Sequence, residues 1–399
     1  MTGVPAPIPT TDIGPRDSMK ILMVLTYHHP HWTGLTAYAK RLAEGLVRRG
    51  HSVTVLTSRH LASLPREDSL AGVRIVRLPV TAAISRGVVM PSFPAAAWRL
   101  VRDADVVQQH GPLLEAPLVA LFSKLAGKPS VFTNHGDLVM PAGTFNRLVE
   151  HTTTALMAAG LRLSTRVTTH SGDYARHSDF MAPVLEKTET PYPPVEIAAP
   201  DLAAAARWKQ ELGLSEKKLV GFAGRWVEEK GFDILLRAIP HVVAREPRAH
   251  FVYAGDPDIQ YEDFFGRCRE LLEGVREHVT MLGLIRDPQR LADFYAMCDL
   301  FALSSRTDCF PSTQLEALAC GTPLVSADIP GAREVVAVTG MGVHVRPRDP
   351  EDLARGILEV LRDPARYVRP PEEIRRVFHL EKSVSEYEDL FRRIVAEAA

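Results

Sequence analysis

Residues 218–232 read KLVGFAGRWVEEKGF, a stretch that joins an apolar run to a turn carrying two cations. The run Lys218–Ala223 predicts a buried strand, and the pattern Asp233–Ile239 predicts a helix. Arg225 and Lys230 therefore lie at a strand-to-helix turn, where the unpaired N–H groups of a helix N-terminus favour anions. Two fixed cations suit a diphosphate better than one cation does, although such residues also occur as a surface charge pair.

A second stretch, Thr307–Val325, supplies two carboxylates separated by seven residues. Asp308 follows the predicted strand Leu300–Ser305, and Glu316 lies in the helix after it. Open α/β sheets bind ligands outside the carboxyl ends of their strands, so these carboxylates are placed to accept hydrogen bonds from sugar and ribose hydroxyls. Each residue also has a structural interpretation, Glu316 as a solvated helix residue and Asp308 as a turn former. The two stretches together fit a nucleotide-diphosphate sugar better.

From about Lys20 to the C-terminus the chain resembles the retaining GT-B glycosyltransferases of family 4 (glycosyl transferases group 1), whose signatures are Gly-Arg-x-x-x-x-Lys-Gly and Glu-x7-Glu. The resemblance implies transfer of a hexose from a nucleotide-diphosphate sugar, UDP- or GDP-linked, to an acceptor hydroxyl. It implies that Arg225 and Lys230 hold the donor diphosphate, that Glu316 binds the ribose, and that Asp308 binds donor-sugar hydroxyls. The family usually has Glu at the position of Asp308, which leaves the donor sugar open.

Both halves alternate short apolar runs with helical patterns, which is typical of βαβ units and parallel sheets. The resemblance implies the GT-B fold, with two Rossmann-like domains facing each other across a cleft and a C-terminal helix that crosses back to the first domain. We expect a disordered tail at 1–18, an acceptor-binding domain at 19–197, a donor domain at 198–380 and the returning helix at 381–399. A helix that simply caps the second domain is the alternative.

The charge and composition of the chain limit the classes of function that the protein can have. The net charge of −1 argues against a nucleic-acid binder. From Met19 to Ile197 there are 19 Lys and Arg against 13 Asp and Glu, so the first half suits an anionic surface or acceptor. Four cysteines without metal-type spacing suit a reducing cytoplasm. No apolar stretch reaches the roughly 20 residues of a membrane span.

Candidate ligand contacts in the first half follow predicted strands. Gly34 ends the loop His28–Gly34 and lets the backbone approach a phosphate, while the three histidines of that loop are more typical of solvated residues than of metal ligands. His110 and His135 each end a strand, and either could be an ordinary core histidine. Relatives use a His at the second position near the donor sugar and acceptor, so we assign His135 to catalysis and His110 to the acceptor side. Asp137 could orient the acceptor hydroxyl or cap a helix.

The remaining donor contacts are predicted in loops of the second half. Backbone groups of Leu284 and Ile285 could read the edge of the nucleobase, and Arg286 could stack on the base or lie on the surface. The phosphate-binding loops contribute the donor-site candidates Gly224, Phe310, Pro311 and Ser312.

We expect no metal and no cofactor, because Arg225 and Lys230 stabilise the leaving diphosphate in place of a metal. Front-face attack, as relatives are thought to use, is favoured over a covalent intermediate, because no carboxylate is clearly placed as a nucleophile. The acceptor is expected to be a saccharide or a lipid-linked compound of polysaccharide or glycolipid synthesis. Two alternatives stay open, a nucleotide-sugar epimerase of GT-B fold and a non-catalytic nucleotide-sugar-binding subunit.

The stretch Arg86–Arg102 mixes arginines with Phe, Trp and Met. This composition is found in interfacial helices that contact anionic membranes, and also in a domain helix with a core face. We expect a cytoplasmic protein, and peripheral contact with the inner face of the cell membrane is one option for it.

Overall fold

A computed structural model describes residues 18–84, 87–140, 143–259 and 262–398. The predicted tail therefore lies outside the described residues, apart from Ser18. The chain forms two compact units. Of the described residues, the first unit contains those up to Asn134, Thr152–Thr168 and those from Leu380 onward, and the second contains those within His135–His151 and Thr169–His379. The four domain ranges given above stay a prediction.

The strands are short and most are buried runs of apolar residues. They are β1 (Lys20–Val24), β2 (Ser52–Arg59), β3 (Glu67–Leu70), β4 (Val73–Pro79), β5 (Ala82–Ile84), β6 (Gly87–Val89), β7 (Val106–Gly111), β8 (Ser130–Asn134), β9 (Arg166–Thr168), β10 (Thr188–Glu189), β11 (Lys218–Ala223), β12 (Ala249–Ala254), β13 (Val279–Met281), β14 (Leu300–Leu303), β15 (Leu324–Ala327) and β16 (Gly342–Val345).

Helices alternate with these strands through both units. They are α1 (Gly34–Arg48), α2 (Phe93–Asp103), α3 (Ala116–Leu125), α4 (Thr144–Leu163), α5 (Gly172–His177), α6 (Leu202–Glu211), α7 (Phe232–Val243), α8 (Phe264–Arg267), α9 (Arg269–Glu273), α10 (Pro288–Met297), α11 (Ser312–Ala319), α12 (Ala332–Thr339), α13 (Pro350–Arg362), α14 (Pro371–Val377) and α15 (Leu380–Ala398). Short 3-10 turns occur at Ala182–Lys187, Glu228–Lys230, Arg276–His278 and Pro364–Tyr367.

The second unit is built on a parallel sheet in the order β13-β12-β11-β14-β15-β16. Its central strands are mostly apolar and buried, as is typical of strands covered by helices on both faces. In β14, for example, all residues from Leu300 to Leu303 are buried. The strand order reverses between β11 and β14, so the carboxyl ends of these two strands form the topological switch point at which doubly wound sheets bind ligands.

The sheet of the first unit contains the order β4-β2-β1-β7-β8-β9, with the same reversal between β1 and β7. These strands run parallel, and β3 adds an antiparallel edge to β4. The sequence analysis did not predict β3 or the small hairpin of β5 and β6. Because β3 has the sequence EDSL and is largely exposed, it lacks the apolar pattern that marks a strand.

The C-terminal helix α15 packs on the first unit. Val384, Tyr387 and Phe391 are buried in the same core as residues of α1 and β1. A Cβ added at Gly45 of α1 would lie 2.4 Å from a methyl of Val384, so the close approach of the two helices requires glycine there. The predicted fold, with two parallel-sheet α/β domains and a helix that returns to the first, is therefore confirmed. The alternative of a helix that caps the second domain is wrong.

The stretch with mixed arginines and aromatics is not one continuous helix. Strand β6 ends at Val89 and α2 begins at Phe93, whose side chain is buried together with that of Met90. Arg86 lies outside the described residues. The interpretation as a domain helix with a core face is correct for α2, and Trp98 remains 36% exposed on its other face. Among the described residues, no helix has both the length and the apolar character to cross a membrane.

Candidate functional site

The turn after β11 begins with a glycine in a conformation that other residues rarely adopt. Gly224 has φ +132°, its N–H donates to the Ala254 carbonyl at 3.0 Å, and its carbonyl accepts from the Tyr253 hydroxyl at 2.5 Å. Trp226 follows with a fully buried indole that contacts the Phe232 ring edge to face. The turn is thus fixed to the core on both sides of Arg225.

Lys230 ends the 3-10 turn Glu228–Lys230 and is followed by Gly231 with φ +65°. A Cβ on Gly231 would lie 2.1 Å from the Ser304 carbonyl oxygen, so the turn can approach the end of β14 only with glycine at this position. The close approach brings Lys230 Nζ within 2.5 Å of Asp308 Oδ2. The sequence analysis placed these residues in one site but did not predict this ion pair.

The ion pair favours the charged form of Lys230. Only 21% of the Lys230 side chain and 13% of the Asp308 side chain are exposed. Burial lowers the pKa of Lys230, but the Asp308 carboxylate and, less closely, Glu229 outweigh burial and raise the pKa above its usual value. Lys230 is therefore a fixed cation at neutral pH.

Arg225 is the more accessible of the two predicted cations. Its Nη2 lies 3.1 Å from Glu229 Oε1, and 39% of its side chain is exposed. Arg225 and Lys230 thus lie on one turn at the switch point, the first more exposed and the second held by a carboxylate. This arrangement can attract an anion and stabilise negative charge that develops on it.

Asp308 belongs to a tightly held loop. It forms an isolated parallel bridge with Gly331, where an added Cβ would lie 2.0 Å from the Cys309 carbonyl oxygen. The Cys309 thiol is buried 3.3 Å from Thr169 Oγ1, and burial raises the pKa of Cys309 to about 12. The interpretation of Asp308 as an ordinary turn former is therefore incomplete, because its carboxylate pairs with Lys230.

Glu316 lies in α11 and is 9% exposed. Its carboxylate accepts a hydrogen bond from the Tyr295 hydroxyl at 2.8 Å, and burial together with Glu316 raises the pKa of Tyr295. The interpretation of Glu316 as a solvated helix residue is wrong. Contact with ribose stays a prediction, as do the donor contacts of the neighbouring loop. In that loop Phe310 is buried, Pro311 precedes α11 and Ser312 begins it.

His135 has a histidine partner that the sequence analysis missed. His135 Nδ1 lies 3.0 Å from Nε2 of His170, which is 4% exposed. Burial lowers the pKa of His170 to about 3, so that ring is neutral at physiological pH. His170 lies two residues after the end of β9, and the strand-end position that drew attention to His110 and His135 also marks it.

Asp137 makes other contacts than those of a helix cap. Its carboxylate accepts hydrogen bonds from the Ser178 hydroxyl at 2.9 and 3.0 Å, and its N–H donates to the Tyr174 oxygen at 2.6 Å. The next helix, α4, begins only at Thr144. The helix-cap interpretation is therefore wrong, and the acceptor-side role of Asp137 stays a prediction.

Two candidates lie in the first unit. Gly34 begins α1, and in the described part of the chain no atom beyond its neighbours and its own helix lies within 4 Å of the position that its Cβ would occupy. His110 is fully buried in β7, with its ring edge to face against Tyr38 at 6.0 Å. Their donor-side and acceptor-side roles stay predictions.

The histidine loop before α1 is less open than its sequence indicates. His28 is 1% exposed, and burial lowers its pKa to about 4, so the solvated interpretation is wrong for this residue. Within the described ranges, no group of three His, Cys, Asp or Glu side chains could hold a metal ion.

The residues predicted at the nucleobase follow β13. Gly283 has φ +72° and its carbonyl accepts from the Gly255 N–H at 2.9 Å, which ties this turn to the end of β12. Leu284 is 43% exposed, whereas Ile285 packs partly against the core of the second unit. Arg286 is exposed. Base contacts by these residues stay predictions.

Two family models match the chain. The model described as glycosyl transferase 4-like domain matches residues 33–185, and the model described as glycosyl transferases group 1 matches residues 205–377. The second range contains Asp308, Glu316 and the turn Gly224–Gly231 that carries Arg225 and Lys230, called the cationic turn below.

Curated relatives match at similar identity over most of their length. An uncharacterized glycosyltransferase of Methanocaldococcus jannaschii is 27% identical, covering 86% of this chain and 90% of that protein. A D-inositol 3-phosphate glycosyltransferase of Segniliparus rotundus is 28% identical, covering 91% of this chain and 86% of that protein. A GDP-mannose-dependent α-(1-6)-phosphatidylinositol monomannoside mannosyltransferase of Mycolicibacterium smegmatis is 28% identical, covering 87% and 90%.

Solved structures share the fold at lower identity. Sucrose-phosphate synthase of Thermosynechococcus elongatus superposes with a TM-score of 0.76 at 20% identity, covering 95% of this chain and all of that one. Anabaena HepE, solved in complex with UDP and glucose, has a TM-score of 0.76 at 20% identity, covering 94% of this chain and all of that one. With both halves matched by family models and the fold shared, the chain is a GT-B glycosyltransferase and belongs to the glycosyl transferases group 1 family.

Proposed function

We propose that this glycosyltransferase transfers a hexose from a nucleotide-diphosphate sugar to an acceptor hydroxyl with retention of configuration. The observation that carries the proposal is the Lys230–Asp308 ion pair at the switch point of the second sheet, with Arg225 on the same turn. HepE, a protein of the same fold, was solved with UDP and glucose, which supports a donor of this class.

Departure of the diphosphate is the step that these cations would assist. Negative charge grows on the leaving group as the bond to the sugar breaks, and a cation already in place stabilises that charge without reorganisation. Asp308 keeps Lys230 charged despite burial, and Arg225 is exposed enough to meet the ligand. We therefore propose that the two cations supply the charge that a metal ion supplies in other transferases.

The hydrogen bonds of the carboxylates favour front-face attack. Asp308 is engaged by Lys230, and Glu316 by the Tyr295 hydroxyl. A covalent glycosyl intermediate would need a carboxylate positioned to attack the reacting carbon, and we propose other roles for these two. Asp308 and His135 are proposed to contact the donor sugar, with His170 holding the His135 ring through the 3.0 Å contact.

The acceptor is proposed to be a saccharide or a lipid-linked compound of glycolipid or polysaccharide synthesis. The mannosyltransferase relative acts on a phosphatidylinositol monomannoside, by its name, which favours the lipid-linked class. We place the enzyme in the cytoplasm. Four free, buried cysteines are compatible with that reducing compartment.

A surface of the first unit supports contact with an anionic membrane. Trp98 of α2 packs edge to face on Phe122 of α3, and Leu121 and Leu125 are 42% and 66% exposed on α3. A surface helix that is apolar on its solvent side points to a further partner. Arg99, Arg102 and Lys124 are exposed on the same two helices and complement anionic lipid.

The test is a panel of UDP-, GDP- and ADP-hexoses with saccharide and lipid-linked acceptors, with and without EDTA. We expect one donor class to be consumed at the same rate in EDTA, and NMR of the product to show the anomeric configuration of the donor. Inverted product would refute retention. A changed sugar without transfer would indicate an epimerase, and donor binding without turnover would indicate a non-catalytic subunit.

A further inference from the structure

We propose that Arg306 is a positioning residue that fixes the distance between Lys230 and Asp308. Nothing in the sequence signatures marks Arg306, which lies two residues before Asp308. The inference rests on the proposed function for its catalytic consequence, but its structural part stands on contacts within the second unit.

Three consecutive carbonyls of the cationic turn accept hydrogen bonds from the segment Ser304–Arg306. The Lys230 carbonyl accepts from the Ser304 hydroxyl at 3.1 Å. The Glu229 carbonyl accepts from the Arg306 N–H at 2.7 Å, and the Glu228 carbonyl accepts from Arg306 Nη1 at 2.8 Å. The segment after β14 thus holds the backbone of the turn residue by residue.

The Arg306 guanidinium is itself fixed by Asp233 in the first turn of α7. Nη1 and Nη2 bind the two carboxylate oxygens at 2.8 and 2.9 Å, which is the bidentate geometry that gives direction as well as strength. The side chains are 20% and 9% exposed. Arg306 therefore joins three elements, namely the turn after β11, the loop after β14 and the start of α7.

This position makes Arg306 a support for the ion pair and not a ligand contact. Its guanidinium is engaged by Asp233 and the Glu228 carbonyl, whereas Lys230 and Asp308 meet on the two loops that Arg306 joins. Arg306→Ala removes the guanidinium bonds to the Glu228 carbonyl and to Asp233 but keeps the backbone N–H bond at position 306. Without those side-chain bonds the two loops are held less firmly, and Lys230 can shift from the place where charge develops. A misplacement of about 1 Å at a reacting group can cost about 100-fold in rate.

Arg237 provides a matched control. It also binds Asp233, with Nη1 at 2.6 Å from Oδ2, but it is half exposed and lies within α7. Arg237→Ala removes an arginine from the same carboxylate while the Arg306 contacts to the turn remain. A difference between Arg306→Ala and Arg237→Ala therefore reports the loop contacts and not the charge of Asp233.

The kinetic test is a double-mutant cycle on nucleotide release with Lys230→Ala, Arg306→Ala and the double variant. We expect Arg306→Ala to lower kcat about 10- to 100-fold and Arg237→Ala to lower it less than about threefold. In the Lys230→Ala background, Arg306→Ala should cost less than about threefold, because its effect passes through Lys230. Fully additive losses, or equal losses for the two arginine variants, would overturn the proposal.

Amide hydrogen exchange separates this inference from the proposed function, because it needs no turnover. Amides of residues 227–231 should exchange at least about tenfold faster in Arg306→Ala than in Arg237→Ala, while β11 stays protected in both. Arg306→Lys keeps the charge beside Asp233 and should restore part of the protection. Unchanged exchange at 227–231 in Arg306→Ala would overturn the inference even if the enzyme is active. If no donor is turned over, this exchange pattern alone decides it.

Discussion

At the scale of single residues, Asp308 is the position at which the sequence analysis expects the chain to depart from its family. A carboxylate one methylene shorter than Glu still contacts Lys230 at 2.5 Å, because Gly231 and Gly331 allow their loops to come close. The pair raises the pKa of Lys230 above its usual value although the side chain is mostly buried. We therefore propose that Asp308 favours the charged form of Lys230 and also contacts the donor sugar.

Asp308→Asn should move the pH dependence of activity. Burial lowers the pKa of Lys230 and Asp308 opposes that effect, so without the carboxylate charge Lys230 should lose its proton at a lower pH. We expect the alkaline limb of kcat/KM for nucleotide release to move to lower pH. An alkaline limb at the same pH in wild type and Asp308→Asn would contradict this role. Glu381→Gln, at an exposed ion pair of the first unit, should leave the profile unchanged.

At the scale of elements, the cationic turn depends on close contact between β11, β14 and their loops. The turn residues share hydrogen bonds with the segment that follows β14, and the αL glycine allows that contact. The chemistry of the site is thus tied to backbone geometry that only a few residues permit.

Gly231→Ala tests that geometry. The new Cβ would lie 2.1 Å from the Ser304 carbonyl oxygen, and the alanine would have to adopt φ +65°. We therefore expect both the thermal stability and the rate of nucleotide release to fall. The control is Gly213→Ala, because Gly213 also has a positive φ of +71°, but among the described residues no atom beyond its chain neighbours lies within 4 Å of the new Cβ. This substitution should lower the free energy of unfolding only by the backbone strain, about 1–2 kcal/mol. Equal losses of Tm in the two variants would show that the loop contact is unimportant.

The sequence predicts the elements well where local pattern determines them. Strands such as β11, β12 and β14 are apolar runs that end in turn signals, so their positions and the site at their carboxyl ends could be inferred. The contacts that organise the site could not. Arg306 is 73 residues from Asp233 in sequence, and His170 is 35 from His135. Local pattern does not predict the contact within either pair, because the strand order brings the two residues together.

At the scale of the whole molecule, the chain forms two units with the same strand reversal, and its last helix returns to the first. Tyr387 of α15 accepts from the Tyr38 hydroxyl at 2.6 Å and donates to Thr168 Oγ1 at 3.1 Å. The first unit is therefore completed by residues from the far end of the chain. The second unit carries the proposed donor site, and the first carries the exposed apolar surface on α2 and α3.

Vesicle sedimentation tests the proposed membrane contact. We expect wild type to pellet with vesicles of phosphatidylglycerol and phosphatidylcholine at low salt, and to be released by high salt. Leu121→Gln with Leu125→Gln should lower the partition coefficient about tenfold or more, whereas Leu202→Gln, at a 68% exposed leucine of the second unit, should not. Equal recovery with purely neutral vesicles would count against an anionic surface. If the wild type forms dimers and Leu121→Gln with Leu125→Gln dissociates them, the partner of this surface is a second copy of the chain and not a membrane.

The most direct measurement is the rate of nucleoside-diphosphate release at saturating donor for wild type and Lys230→Ala, with Tm recorded for both. Loss of one preorganised cation is predicted to lower turnover about 10²- to 10³-fold. Lys20→Ala, which removes a 61% exposed lysine from a surface ion pair, should leave turnover unchanged. A folded Lys230→Ala enzyme with near-wild-type turnover would contradict the proposal that Lys230 stabilises the leaving diphosphate.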